Sequence, residues 1–182
     1  MQKFDYSLDY KNLDLRQNPD LYQIGRGEQG VLLVEPYKSE ILPNWRFRTP
    51  EIAQLSSEKI YQQFLDYLAR DDFVGADMAR KFLQMGYTRS RRYANHKSGR
   101  KYSDETDDSP LTADTIKLNP NFNQRNQQHQ IKTKTRTVLP QEPDALTNEK
   151  AQSAEIFYRY YKKAKEDERY IKMKKAWQDK YS

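Results

Sequence analysis

Two adjoining helical stripes between Pro50 and Met85 restrict the fold more than any other feature of the chain. Thr49-Pro50-Glu51 marks the first helix start. Threonine accepts at the N-cap, proline sits where its missing N–H costs nothing, and glutamate meets the positive end of the dipole. Ile52, Leu55, Ile60, Phe64 and Leu68 then approximate one helical face, widened by Tyr61 and Leu65, to about Arg70. Asp71 or Asp72 is placed to cap a second helix with Phe73, Ala76, Ala79, Phe82 and Leu83 on its apolar side. Gly86 reads as its stop, and Thr88 as the cap of a short third helix reaching Tyr93 or Ala94. The expected core joins Leu55, Phe64, Leu68, Phe73 and Phe82.

The flanks are different material. Residues 1–24 are polar and aromatic with frequent turn formers, which suits irregular structure wrapped on a core. Gln29 to Glu35 (QGVLLVE), preceded by glycines and closed by Pro36, reads as a short buried strand, with Tyr22 to Gly25 as a hairpin arm. From Asn119 to Gln130, 8 of 12 residues are Asn or Gln, a composition that builds no packed core. Asn148 is a cap for a C-terminal helix whose Phe157, Tyr160, Tyr161, Ala164 and Ile171 share one face. That stripe is lost beyond Ile171, where Trp177 points elsewhere, so a break or a change of packing partner is expected.

The pattern therefore implies an α+β, mainly helical protein with a short β-hairpin and central helices. Three regions are expected: a basic core domain over 1–103, a flexible polar insertion or arm over 104–147, and a C-terminal helix over 148–182 docked on the core. The chain has no cysteine, which excludes disulfides, thiolate metal sites and cysteine nucleophiles. No apolar run approaches the length of a membrane span, and the N-terminus lacks the apolar region of a secretory signal. A cytoplasmic protein without a membrane partner is the expectation. The net charge of +6 favours an anionic partner.

The charge is concentrated. Between Met78 and Ser103 there is no acidic residue, although the chain holds 26. The segment 87–102 carries Arg89, Arg91, Arg92, Lys97, Arg100 and Lys101, with His96 and the rings of Tyr87, Tyr93 and Tyr102 among them. Clustered cations with interleaved rings suit phosphates and bases respectively. On a helix, Arg89, Arg92, Tyr93 and His96 fall on one face and Arg91 lies opposite. The bland alternative is a solvated helix end whose arginines pair with acids such as Asp71, Asp72 and Asp77.

Gly25-Arg26-Gly27-Glu28-Gln29-Gly30 matches G-x-G-x-x-G, but the apolar run after it is no helix start, so the dinucleotide-binding reading fails on context. A tight turn with positive φ at one or more glycines fits better, with Gly25, Arg26, Gly27 and Gly30 as a weak phosphate loop. Two distant histidines and no cysteine make no metal site, and no Ser/His/Asp set is recognisable. No catalytic residue and no cofactor is expected.

The stretches GRGEQGVLLVEPYKSEILPNWRF (25–47) and DDFVGADMARKFLQMGYTRSRRYANHKSGRKY (71–102) resemble a family of uncharacterised bacterial and phage proteins, a domain of unknown function. The resemblance spans about residues 3–102 and resumes near 138–177; the Asn/Gln-rich insertion departs from it. It implies no activity, cofactor or catalytic residue. The functional expectation rests on the residues alone. It is non-catalytic binding of nucleic acid, DNA or RNA, or of another polyanion, through 87–102. The alternatives are an enzyme or binder of a phosphorylated small molecule, its pocket formed by residues 25–30 and the same arginines, and a protein-interaction module.

Overall fold

The computed structural model describes residues 4–103 and 137–181. Its helices are α1 (Tyr37–Ile41), α2 (Pro50–Ala69), α3 (Phe73–Asn95), α4 (Glu149–Glu166) and α5 (Glu168–Tyr181), with two short 3-10 turns at Pro19–Leu21 and Leu42–Asn44. The protein is mainly helical. None of these helices is long and apolar enough to cross a membrane. The Asn/Gln-rich tract and most of the expected polar insertion lie outside the described residues.

The caps decide where α2 and α3 begin and end. Thr49 Oγ1 accepts from the Ile52 amide, and Asp72 Oδ1 accepts from the Gly75 amide at 2.9 Å. Between the helices, Asp71 takes the left-handed conformation with φ 55°. The Asp72 amide donates to Tyr67 and the Asp71 amide to Leu68, the paired bonds that close a helix C-terminus.

The stripe of α2 agrees with the expected one at Ile60, Phe64 and Leu68 and departs from it in the first two turns. Its buried side is Ala53, Ser56, Ser57, Ile60, Phe64, Tyr67 and Leu68, while Leu55 is 69% exposed. Small residues carry the first two turns of the interface because they let α4 approach closely, and hydropathy alone does not mark them.

The same physics removes the expected stop at Gly86. Helix α3 runs unbroken for 23 residues from Phe73 to Asn95, so Thr88 lies inside it and caps nothing. Gly86 faces α4, where any Cβ would overlap the ring of the fully buried Phe157. The glycine is a seat for a ring and not a helix terminator. Helices α3 and α4 run antiparallel: Asn148 Nδ2 donates to the carbonyl of Ala94 at 3.1 Å, and Tyr87 packs on Tyr158 with ring centroids 5.1 Å apart.

The expected strand and hairpin are replaced by turns. Residues 27–33 are a run of turns in which the amides of Leu33 and Val34 both donate to the Gly30 carbonyl, at 2.9 and 3.2 Å. Gly30 has φ 81°, and the Phe4 ring lies where its Cβ would be. The chain reverses there, so Val31 and Val34 enter the core from a coil and not from a pleat. Among the described residues, β pairing is confined to two isolated bridges, Asp14 with Glu35 and Tyr102 with Val138.

The C-terminal segment breaks at Asp167, whose ψ of 126° is extended. The break turns Tyr170 inward and leaves Ile171 half exposed, reversing the expectation for Ile171. Trp177 then packs on Phe73, centroids 5.0 Å apart, and donates from Nε1 to the Tyr22 carbonyl at 3.3 Å.

Gly86→Ala tests the ring seat. A helix interior normally gains from alanine over glycine, but here the added methyl overpacks the α3–α4 interface. A net loss of about 1–2 kcal/mol is expected in urea unfolding. A gain in stability would show that Phe157 does not occupy that seat.

Candidate anion-binding site

Helix α3 presents its first and last turns to different neighbours, and this divides the basic stretch into two sets of charges. The earlier set is inside. Asp77 and Lys81 are fully buried and Arg80 nearly so. Arg80 Nε and Nη2 reach Asp77 Oδ1 at 2.9 Å, and Lys81 Nζ lies 3.5 Å from Asp77 Oδ2. Tyr22 donates its hydroxyl to one carboxylate oxygen, and Tyr170 donates to the other at 2.6 Å. Lys81 also donates to the Tyr22 hydroxyl at 3.0 Å and to the Gln29 carbonyl at 2.9 Å. Two cations thus share one acid, and three segments distant in sequence meet on it.

Burial alone would raise the Asp77 carboxyl, but Arg80, Lys81 and the two tyrosine hydroxyls outweigh it and hold it well below the usual carboxylate range. Burial, with Asp77 beside it, pushes Tyr22 and Tyr170 upward. Burial pulls Lys81 down, against the attraction of Asp77. Arg80 and Lys81 are therefore committed inside the fold. The signal was present in the sequence as an acid followed by bases three and four residues later, the spacing of one helix face. Tyr22 and Tyr170 carried no comparable mark.

The later set lies at the C-terminal end of α3. Arg92 is exposed and Arg89 half-buried. Arg91 is half-buried and tied, Nη1 to the Ala145 carbonyl at 3.0 Å and Nη2 to Asn95 Oδ1 at 2.8 Å. His96 is buried, with Nδ1 at 3.1 Å from the Pro140 carbonyl. These two residues anchor the segment that leads into α4. Lys97, Arg100 and Lys101 are exposed on the loop beyond the helix. That loop turns at Gly99, φ 70°, against the Tyr93 ring. Tyr93 and Tyr102 are each about two-fifths exposed, and Tyr87 instead packs on Tyr158.

The stretch is free of acids in sequence but not in space. A cavity of about 280 Å³ beside Tyr93 and Lys97 is lined also by Glu142, Asp144 and Glu149, and Glu142 accepts from the Lys97 amide at 3.3 Å. Arg92, Lys97, Arg100 and Lys101 are exposed beside it.

Residues 25–30 pack against α3 between Lys81 and Thr88. The loop sits on the middle of α3, where Lys81 reaches the Gln29 carbonyl, Thr88 donates to Glu28, and Gly27 lies beside Gln84. Its amides at Arg26, Gln29 and Val31 donate within the loop, to the Gln29 side chain and to the carbonyls of Arg26 and Glu28. Positive φ occurs at Gly27 and Gly30. Among the described residues, no group of acids and histidines is placed to hold a metal ion.

Asp77→Asn tests the buried cluster. Because the folded carboxyl is held below its unfolded value of about 3.9, its contribution is complete above that value and fades as pH falls through the depressed one. The variant should lose about 3–5 kcal/mol at neutral pH, since two buried cations are left without their acid. Its stability should also fall less steeply than that of the wild type on acidification below about pH 4. Parallel acid-unfolding curves in chemical denaturant would contradict this.

No curated protein and no solved structure matches the chain. The family model that does match is that of a domain of unknown function, DUF4385, which covers residues 5–180, and the chain belongs to that family.

Proposed function

We propose that the protein is a non-catalytic nucleic-acid-binding domain that uses the C-terminal end of α3 and the loop after it. The observation that carries this is the grouping of exposed Arg92, Lys97, Arg100 and Lys101 with the part-exposed rings of Tyr93 and Tyr102. Cations at a helix C-terminus also complement the dipole, so charge alone asks for no ligand. The rings do: exposed aromatics among cations give bases a face to stack on while phosphates are neutralised nearby. Arg91 and His96, bonded to the backbone of residues 140 and 145, serve in this reading as the rigid support of the site and not as its contacts. Glu142 and Asp144 border the patch and limit its width, which suits a single strand more than a duplex.

Titration of labelled single- and double-stranded DNA and RNA at several salt concentrations tests this. Affinity should fall with salt with a slope of about −0.7 per phosphate contact on single strands. Arg92→Ala should weaken binding and flatten that slope while changing stability by less than about 0.5 kcal/mol. Arg91→Ala should lower stability by about 1.5–3 kcal/mol, through its lost charge-assisted bonds. Tyr93→Ala should weaken single-strand binding by about 1–3 kcal/mol with little change in slope. A wild-type protein without measurable affinity at low salt ends the proposal.

A further inference from the structure

At the opposite end of α3 from the basic loop, three distant parts of the chain enclose a cavity of about 480 Å³. Arg16 and Tyr37 come from the N-terminal segment and α1, Arg70 from the end of α2, Phe73 from the start of α3, and Trp177 from α5. The volume lies within the range of small-molecule sites, about 300–1,000 Å³.

Its polar groups differ in how far the fold has used them. Arg16 is locked, with both terminal nitrogens at 2.8 Å from the two oxygens of Glu40 and its guanidinium 4.8 Å above the Tyr37 ring. Asp72 accepts from the Tyr37 hydroxyl at 2.8 Å and from the Gly75 amide at 2.9 Å, and its second oxygen lies 3.7 Å from Arg16. Asp71 pairs with Arg169 at 2.8 Å. Arg70 is different. Its Nε donates to the Asp66 carbonyl at 3.2 Å and its guanidinium lies 5.3 Å over the Tyr67 ring, which fixes the plane. Its two terminal nitrogens make no hydrogen bond among the described residues. A held guanidinium with an open fork is matched to a carboxylate.

The rest of the wall is aromatic. Phe73 and Trp177 lie 5.0 Å apart at 31°, and Trp177 is itself held through its indole N–H by the Tyr22 carbonyl. Phe73 is buried between Tyr170 and Trp177, so the ring surface left to the cavity is that of the part-buried Trp177, on which a planar ring packs. Charges around the cavity balance, with Arg16, Arg70 and Arg169 against Glu40, Asp71 and Asp72. The first turn of α3 adds a partial positive charge. That balance favours one negative charge over the two of a phosphate monoester. We propose that this cavity binds a small planar ring compound bearing a single carboxylate, with Arg70 taking the carboxylate and Trp177 the ring. The site is independent of the nucleic-acid reading.

The chain has two tryptophans, so its indole N–H groups give two resonances in a nitrogen–proton correlation spectrum, assignable with Trp45→Phe. The full chain is titrated with indole-3-acetate, with indole-3-acetamide as the ring without the charge, and with acetate as the charge without the ring. The Trp177 resonance should shift saturably with indole-3-acetate while that of Trp45 stays in place. The amide and acetate should each bind about tenfold or more weakly, and so should indole-3-acetate to Arg70→Gln, whose melting temperature should fall by no more than about 2–4 °C because the side chain is exposed. Arg70→Lys should recover part of the affinity. No saturable shift at millimolar indole-3-acetate overturns the proposal. Equal binding of the acid and the amide, or wild-type affinity in Arg70→Gln, overturns it as well.

Discussion

The carboxylate of Asp77 is the point on which the architecture turns. It is fully buried, and it is reached by Arg80 and Lys81 from its own helix, by Tyr22 from the N-terminal wrap and by Tyr170 from α5. Taking these charges out of water costs several kcal/mol per ion, and the attraction between them offsets that only when the geometry and the remaining hydrogen bonds are good. An arrangement so dependent on geometry disfavours other placements of the segments that complete it. Sliding α5 by one turn would remove the Tyr170 hydroxyl, and a different path for the wrap would remove that of Tyr22. Apolar packing is more tolerant of such shifts. The cluster therefore fixes where the two ends of the chain lie on α3, beyond what the core alone requires.

Close packing of α3 on α4 is the second constraint, and it is met with small residues. Gly86 admits the Phe157 ring, and Ala94, Ala151, Ala154 and Ser153 are buried along the same helix pair. Helix α2 joins them through Ala53 and Ser57. The aromatic side chains fill what this leaves open: Phe64, Tyr170 and Phe73 lie in a row, with successive centroids about 6 Å apart, and Trp177 extends the row to the cavity at the start of α3. The two ends of α3 thus differ in kind. One is enclosed by rings and paired charges. The other carries its cations outward on a loop anchored by Arg91 and His96.

Much of the frame is legible in the residues. The Thr49-Pro50 start, the Asp72 cap and the Asn148 cap all lie where short polar side chains precede apolar periodicity, and all three make the capping bond. Phe64, Leu68, Phe73 and Phe82 are buried as their spacing implies. Leu55 is not, because the helix face is chosen by how closely a neighbour can approach, and hydropathy does not report that. Gly86 was legible only as a glycine: ending a helix and seating a ring both call for an absent Cβ, and the local sequence does not separate them. The aliphatic run at 31–34 has the content of a strand, but Gly30 with Phe4 against it turns the chain before any ladder forms.

By itself the sequence determined what local forces decide: the caps, the helical periods, the absence of thiol chemistry and the excess of cations between Met78 and Ser103. Which of those cations meet solvent was decided by tertiary structure. Arg80 and Lys81 point toward Asp77 on their own helix and toward two tyrosines from distant segments, and Arg91 toward a carbonyl 54 residues later. Arg92, one residue on, faces water. A linear charge count treats these four as equals. The field at each depends on groups brought near by folding and on how much water remains, and neither quantity is a property of a residue's neighbours along the chain.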